Sequence, residues 1–309
     1  MSRGGARFPE REGADFELVE IPLNRPGFQG FFCAWLVRGE RTFLVDTGPA
    51  RSAGTLIRRL KALGLDRLDY VLLTHIHLDH AGGLGRVLEA FPGARVVCHR
   101  KAVPHLADPA RLWEGSRKVL GDLADAYGEP RPVPEGILGA HDEARVPGLH
   151  ILETPGHAPH HVSFACGGCL FAGEAAGNRF QWEGREILRP ATPPRFHLEE
   201  CLASVDRLRE LDDRTLCYGH YGAAEGSHDM LDRFRRQLLR WRDILASLLR
   251  ERPDAAVGTC LEHLLAEDPE LRSFPHLDPE TRSRERFFLK NSIRGYLQYL
   301  DASTSGSMT

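Results

Sequence analysis

The chain has 309 residues, of which 42% are hydrophobic and 27% charged, and its formal net charge is −3. This composition is typical of a globular protein with a sizeable core, and it excludes the strongly basic field that attracts nucleic acid. The N-terminal segment lacks the apolar core of a signal peptide, and no later run reaches about 18 apolar residues. We therefore expect a cytoplasmic protein without nucleic-acid or membrane partners.

Apolar runs separated by turn residues predict alternating strands and helices, which favours a layered α/β fold. Strands are predicted at 31–37, 41–46, 69–74 and 94–99, and helices at 52–65 and 84–91. Residues 101–146 are less regular and predict a lid-like insertion over one end of the sheet. Strands resume at 149–154, 161–166, 169–174 and 215–220, and the glycines of "CGGC" (166–169) predict a hairpin turn.

Three segments with helical spacing follow one another between residues 228 and 300. We therefore expect a first domain at 1–227, an all-helical region at 228–300 and a disordered tail at 301–309. The helical region either covers the functional site or forms a homodimer interface, and the sequence leaves both alternatives open.

The stretch "THIHLDHAGG" (74–83) comes at the end of a predicted buried strand. His75 and His77 stand two apart, so an extended backbone points both side chains to the same side. Asp79 and His80 follow directly, before two glycines that permit a tight turn into the next helix. Imidazoles and carboxylates are common protein ligands of divalent metal ions, so this pattern predicts a metal site.

Three more candidate ligands follow predicted strands farther along the chain. They are His157 in "TPGHAPHH" (154–161), Glu174 in "FAGEA" (171–175) and His220 in "CYGHYG" (217–222). A histidine or glutamate at one strand end is weak evidence for a ligand. Their recurrence at the ends of successive strands predicts that they join the first cluster.

The motifs "VDTG" (45–48), "THIHLDHAGG", "TPGHAPHH", "FAGEA" and "GHYG" (219–222) resemble, in order and spacing, those of the metallo-β-lactamase-fold hydrolase superfamily. The resemblance implies an αββα sandwich with a dinuclear metal site at one edge, followed here by the all-helical C-terminal region. It also implies one metal ion held by His75, His77 and His157, and a second held by Asp79, His80 and His220.

Glu174 stands where the superfamily usually has an aspartate that bridges the two ions. The glutamate is one methylene longer, so it either bridges at a different metal spacing or binds one ion only. We expect two divalent ions per chain, with zinc as the first choice and iron or manganese as alternatives.

The resemblance also implies a supporting role for Asp46, which either accepts an imidazole N–H or caps its loop. Asp79 is expected to orient the attacking water as well as to bind metal. A tetrahedral oxyanion needs a hydrogen-bond donor nearby. Tyr218 and Tyr221 flank His220 and are the candidate donors, with a packing role as the alternative for each.

The branch of the superfamily that cleaves small acyl compounds is the best match. Its glyoxalase-II-like thioesterases and the alkylquinolone-pathway thioesterase also have C-terminal helices near the site. We therefore expect a glutathione- or CoA-linked thioester as substrate, with a lactone or other carboxylic ester as the alternative. The rivals from other classes are a mononuclear iron enzyme similar to persulfide dioxygenases and a non-catalytic binding protein, which would not need the full ligand set.

Overall fold

The computed structural model describes residues 15–220 and 222–305. Six strands form the first sheet, in chain order from one edge to the other. They are β1 (Asp15–Ile21), β2 (Phe32–Arg38), β3 (Phe43–Val45), β4 (Tyr70–Leu72), β5 (Arg95–Cys98) and β6 (Leu138–Ala140). β3, β4, β5 and β6 are parallel, so their carboxyl ends lie along one edge of the sheet.

Six helices connect the strands of the first sheet. They are α1 (Ala53–Ala62), α2 (Leu78–Ala81), α3 (Leu84–Ala90), α4 (Val103–Ala107), α5 (Ala110–Leu120) and α6 (Asp122–Tyr127). The last three make up most of the predicted insertion at 101–146. The same stretch also contains β6, which extends the sheet, because a three-residue strand is too short to give a periodic signal in the sequence.

The second half of the chain forms another sheet and the C-terminal helices. Its strands are β7 (His150–Glu153), β8 (Val162–Cys166), β9 (Cys169–Gly173), β10 (Asn178–Trp182), β11 (Arg185–Arg189), β12 (Thr215–Tyr218) and β13 (Ala223–Ala224). Five of them form a sheet in the order β13-β12-β9-β8-β7, while β10 and β11 form a separate hairpin. The helices are α7 (Leu198–Arg209), α8 (Ser227–Glu251), α9 (Val257–Glu267) and α10 (Pro279–Ser305).

Three buried clusters show how the layers stack. Trp35 and Phe43 of the first sheet meet Phe164 and Phe171 of the second in the cluster between the sheets. A second cluster joins the first sheet to α1, α3, α4 and α6, and a third joins the second sheet to α7–α10. Neighbouring residues of one strand point to opposite layers, which is why these strands read as continuous apolar runs. The predicted αββα sandwich with helical C-terminal region is confirmed.

Several local predictions are confirmed as well. Cys166 pairs with Cys169 across the predicted hairpin, and Gly167 and Gly168 have φ values of 54° and 76°, as a two-residue turn of this type requires. The long predicted helix after residue 227 is α8. None of the helices in the described part of the chain has the length and apolarity needed to cross a membrane.

The structure also differs from the sequence expectations in places. β1 and the β10–β11 hairpin were not predicted, because charged residues interrupt their apolar alternation. α10 continues through Ser305, so the boundary expected at residue 301 lies inside a helix. The low helix propensity of Ser and Thr hides this continuation in the sequence. Residues 306–309 of the expected tail lie outside the described residues.

Candidate metal centre

Strands of both sheets end at one edge of the sandwich, and polar residues follow each of these ends. β7, β9 and β12 share a direction, because β7 and β9 each pair antiparallel with β8 while β12 runs parallel to β9. The residues that follow the strand ends are Asp46 after β3, His75 after β4, His157 after β7, Glu174 after β9 and His220 after β12. The topology therefore gathers residues that are up to 174 positions apart in the chain.

The short helix α2 places Asp79 and His80 beside His77, the last extended residue before it. The two glycines after this helix are needed for a different reason from the one expected. Both have negative φ, but a Cβ at Gly82 would clash with the carbonyl oxygen of Leu78 in α2 and would lie 2.8 Å from the backbone nitrogen of Ala50. A Cβ at Gly83 would lie 2.6 Å from the carbonyl oxygen of Thr47. The close approach of the loop at 47–50 requires glycine here, not an unusual turn.

His75, His77, His157 and Glu174 form a first group whose ligand atoms all lie within 4.8 Å of one another. Nε2 of His157 is 2.8 Å from Nδ1 of His77 and 2.7 Å from Oε2 of Glu174. Nε2 of His75 is 3.4 Å from the same carboxylate oxygen. These four donors point into one small space and could hold a divalent ion.

Asp79, His80 and His220 form a second group that meets the same distance limit. Oδ2 of Asp79 is 3.6 Å from Nε2 of His220 and 4.0 Å from Nε2 of His80. These three donors could hold a second ion beside the first. The structure thus brings together all seven ligand candidates found in the sequence.

The carboxylate of Glu174 lies between the two groups. Its Oε2 is 3.6 Å from Nε2 of His80, and its Oε1 is 3.5 Å from Nε2 of His220. Asn178 donates a hydrogen bond to Oε1 at 2.7 Å, and the backbone N–H of Glu174 donates to Nε2 of His161 at 3.1 Å. Sequence reasoning missed Asn178, which carries no motif signal. The position of the glutamate suits a ligand shared by both groups.

Hydrogen bonds set the protonation of three of these imidazoles. Nδ1 of His157 donates to the carbonyl oxygen of Ala191 at 2.8 Å, because that oxygen can only accept. Nδ1 of His80 lies 2.8 Å from Oδ2 of Asp46, which also accepts the hydroxyl hydrogen of Thr74. Since the hydroxyl hydrogen of Thr74 is used there, its oxygen accepts from Nδ1 of His75 at 3.0 Å.

Each of these three histidines therefore carries its proton on Nδ1. In each of these rings Nε2 points into the site, where the neutral form offers a lone pair to a metal ion, and Nε2 of His157 also contacts His77 and Glu174. Of the two roles considered for Asp46, the structure shows the supporting one. Its φ of 60° is an uncommon conformation for a residue other than glycine, and such strain is concentrated at functional sites.

The electrostatics of the buried site also fit a cation. Burial and the neighbouring imidazoles hold the pKa values of His75 and His77 well below the ordinary value, so both rings are neutral at pH 7. Burial opposes ionisation of Glu174, but His157 and the other imidazoles outweigh it and hold the pKa of this carboxyl well below its usual range. Burial also disfavours a charge on His80, yet Asp46 raises the pKa of that ring well above its usual value, so a metal ion bound at His80 would have to displace its Nε2 proton.

A third cluster at the same edge has similar residues, but its histidines carry the proton on the other ring nitrogen, Nε2. His99 and His141 stack with their ring centres 4.5 Å apart, and both rings approach Glu153. However, Nδ1 of His99 accepts the backbone N–H of Lys101, and Nδ1 of His141 accepts that of Arg100. Their protons must therefore lie on Nε2, from which His141 donates to Glu153 at 2.7 Å. With Nδ1 accepting a hydrogen bond and Nε2 carrying a proton, neither ring offers a lone pair to a metal ion.

The structure separates Tyr218 from the metal centre. Its fully buried side chain packs in the cluster between the second sheet and α7–α10. The charged groups that act on its hydroxyl are Arg179, Glu186, Arg233 and Glu270, none of which belongs to the site. This placement contradicts the expected role as an oxyanion donor, because strand alternation turns Tyr218 towards the helices. Tyr221 lies outside the described residues.

Another phenol, which sequence reasoning missed, lies near the site. Tyr127 at the end of α6 is 1% exposed, and its hydroxyl has no hydrogen-bond partner within the described residues. Burial, followed by the charges of Asp79 and Glu174, raises its pKa well above the ordinary value. Its ring packs edge-on against Phe32 at 5.4 Å, and Phe32 lies against the ring of His220. No motif marks Tyr127, because the insertion that carries it reads as irregular.

Comparison with known proteins gives relatives that share this architecture. A metallo-beta-lactamase fold-containing protein of Sulfurisphaera tokodaii is 29% identical over 237 residues, which cover 74% of this chain and 86% of that protein. A hydroxyacylglutathione hydrolase of Aeromonas hydrophila is 34% identical over 207 residues, which cover 66% of this chain and 64% of that protein. Among solved structures, a metallo-beta-lactamase family protein of Thermus thermophilus aligns over 94% of both chains with a TM-score of 0.62 and 25% identity.

The family model of the metallo-beta-lactamase superfamily matches residues 32–220, more than half of the chain. The matched region includes all seven ligand candidates and Asp46. Its first and last residues, Phe32 and His220, form a β-bridge that joins the two sheets. On this evidence the chain belongs to the metallo-beta-lactamase superfamily of metal-dependent hydrolases.

Proposed function

We propose that this metallo-hydrolase uses two divalent ions to cleave a small acyl substrate, and that the substrate is a thioester. One observation supports the proposal that this cluster binds two metal ions. Seven imidazole and carboxylate donors converge in two adjacent groups, and hydrogen bonds at Nδ1 leave ligand-ready Nε2 atoms on His75, His80 and His157. Nε2 of His75 and Nε2 of His80 are buried without a hydrogen-bond partner in the described part of the chain, which a site built only for stability would not retain.

His75, His77 and His157 would hold one ion, Asp79, His80 and His220 the other, and Glu174 would be shared between them. Imidazole and carboxylate donors suit zinc, with iron and manganese as alternatives. When bound, two such ions supply a water that ionises near neutral pH and a Lewis acid for the scissile carbonyl. A single iron of the oxygenase type would leave the second group of donors without a role.

The chain itself supplies the groups that orient the reactants. The Asp79 side chain is 14% exposed, compared with 6% for Glu174, so it can accept a hydrogen bond from the attacking water while it holds metal. The Tyr127 phenol remains protonated at neutral pH, because its pKa is raised by burial and by the charges of Asp79 and Glu174. We infer that this buried hydroxyl, which lacks a partner in the described residues, donates to the oxyanion that forms on the acyl carbon. In this proposal Tyr127 takes the role that the sequence assigned to Tyr218 or Tyr221.

A cavity of about 680 Å³ lies beside this phenol, between the loop at 25–28, the start of α6 and α10. Phe28 and Leu123 give it apolar walls, and its charged lining is mixed, with Arg25 and Arg284 beside Asp122 and Glu280. The Phe28 ring packs edge-on against Tyr127 at 6.3 Å and against Phe31, which stacks on His220, so a chain of aromatic rings connects the cavity to the candidate metal centre. The apolar surface suits the acyl group of a thioester. The hydroxyacylglutathione hydrolases among the relatives support this choice of substrate class.

The test is thiol release from a panel of acyl-glutathione and acyl-CoA thioesters by the purified protein. Each substrate is assayed with added zinc, manganese or iron and after chelator treatment, and neutral thioesters are included for comparison. We expect chelator-sensitive release that favours the anionic thioesters. If no thioester is cleaved under any metal and lactones are, the thioester assignment is wrong although the hydrolytic site remains.

The role of Tyr127 is tested by Tyr127→Phe, which removes only the hydroxyl. Loss of one oxyanion donor lowers kcat by about 100- to 1000-fold, and we expect a decrease of this order with little change in KM. Tyr218→Phe is the matched control, since that hydroxyl lies among groups outside the site. Equal kcat values for both variants would remove Tyr127 from the mechanism.

A further inference from the structure

His220 differs from the other candidate ligands in what holds its ring. Its Nδ1 is buried and has no hydrogen-bond partner in the described parts of the chain. By contrast, Nδ1 of His75, His80 and His157 is hydrogen-bonded in each case. A metal-ligating imidazole is normally oriented by such a bond at its second nitrogen. The orientation of His220 must therefore come from packing.

The packing comes from an aromatic pair at the start of β2. Phe31 stacks on the His220 ring at 4.3 Å between ring centres, with an interplanar angle of 16°. Phe32 lies 5.7 Å away and is tilted by 57°, and its backbone forms an isolated β-bridge with His220. The bridge holds the backbone of His220, while the stacked ring of Phe31 determines how the imidazole can rotate.

The C-terminal helix α10 in turn determines where Phe31 lies. Cζ of Arg284 lies over the Phe31 ring, 4.1 Å from its centre, and Phe288 stacks on the same ring at 5.7 Å. Two groups so close to one ring centre cannot share a face, so the Arg284 guanidinium and the His220 imidazole lie on opposite faces of Phe31. The phenyl ring is thus enclosed between a cation of α10 and a candidate metal ligand.

Arg284 is itself held in place. It is 5% exposed, its Nε donates to Oε1 of Glu285 at 2.9 Å, and its Nη1 donates to the carbonyl oxygen of Gly27. Glu285 also pairs with the buried Arg189 at 2.5 Å. A buried guanidinium with two separate acceptors has little freedom to move. Its contact with an electron-rich ring face is favourable when both are removed from water, as they are here.

We propose that Arg284 and Phe31 are positioning residues for His220, so that α10 completes the second half of the metal centre. This inference rests on the proposed dinuclear site. It assigns the C-terminal helical region a function beyond covering the site or forming a dimer. Without the stack, the His220 ring would rotate and lose its fixed direction towards Asp79 and His80.

The experiment measures stepwise metal binding by the full-length protein, with zinc buffered by a chromogenic chelator and bound zinc counted by elemental analysis. The variants are Phe31→Leu and Arg284→Met. Each has a matched control: Phe274→Leu removes a buried ring of the cluster that joins the second sheet to α7–α10, and Arg286→Met removes the partly exposed arginine that lies over that ring. His220→Ala identifies the binding step that depends on this ligand.

We expect Phe31→Leu to weaken the step that is lost in His220→Ala by at least about tenfold, the range found when an orienting partner of a ligand is removed. The other step should stay unchanged, and Arg284→Met should weaken the same step by a smaller factor. If both variants bind two ions as tightly as the wild type, or if Phe274→Leu has the same effect as Phe31→Leu, the inference is wrong. A wild type that binds only one ion would instead overturn the proposed dinuclear site on which the inference rests.

Discussion

Asp46→Asn tests the protonation pattern on which the candidate metal centre depends. In the structure Oδ1 of Asp46 accepts the backbone N–H of Thr74 at 2.8 Å. Its Oδ2 is 2.8 Å from both the hydroxyl of Thr74 and Nδ1 of His80. All three partners are donors, so the carboxylate satisfies three hydrogen bonds at once. An amide of the same shape has only one oxygen and cannot do this.

The expected loss follows from these contacts. If the new amide group faces His80, that ring can only keep a hydrogen bond by moving its proton to Nε2, which removes the lone pair needed for metal. If the amide turns round, it faces the backbone N–H of Thr74 and leaves two donors in contact. A hydrogen bond to a charged group contributes about 1.5–3 kcal/mol, which corresponds to a loss of roughly 10- to 100-fold in metal affinity.

The assay is a competition titration of zinc between the protein and a chromogenic chelator. Asp69→Asn is the matched control, because Asp69 accepts the backbone N–H of Thr42 at 2.9 Å but precedes β4, at the opposite end of that strand. We expect the control to keep the wild-type affinity. An Asp46→Asn variant that binds both ions within about twofold of the wild type would refute the reasoning about the His80 proton, since twofold is far below the loss expected for that hydrogen bond.

Two further predictions concern the buried groups around the site. Burial disfavours the charge of Glu285, but Arg189 and Arg284 outweigh it and keep the pKa of Glu285 below its ordinary value of 4.5. The stability it contributes is therefore present above that value and lost as the pH falls through the lower, folded-state pKa. Glu285→Gln should lower the free energy of unfolding by about 3–5 kcal/mol at pH 7. Urea unfolding should show that the difference in stability between the variant and the wild type shrinks below about pH 4.5. A difference in stability that is independent of pH would contradict the ion-pair assignment. Gly173 has a φ of 55°, and a Cβ there would lie 2.5 Å from Nε2 of His161. Gly173→Ala should lower the free energy of unfolding by at least about 1 kcal/mol and should also lower the metal content. Gly93→Ala is the control, because a Cβ at Gly93 would have no atom within 4 Å. Equal effects of the two variants would argue against a tight fit at Gly173.

Local features of the chain were determined by the sequence alone. The spacing of His75 and His77 at the end of an apolar strand, with Asp79 and His80 on the helix that follows, predicts a metal site because strand and helix geometry fix where such neighbours point. The "CGGC" hairpin and the long helix after residue 227 are equally local, since turn chemistry and helical spacing act over a few residues. The layered fold followed from the alternation of such elements.

Only the tertiary structure decided which distant groups meet. His157 and His77 face each other at 2.8 Å although they are 80 positions apart, and no spacing rule predicts that contact. That Tyr218 lies away from the candidate metal centre depended on the layer that its side chain faces. The stacking contacts of Phe31 with His220 and with Arg284 join parts of the chain more than 250 positions apart. Such contacts arise from the packing of whole layers, whereas a sequence pattern reports only what neighbouring residues do.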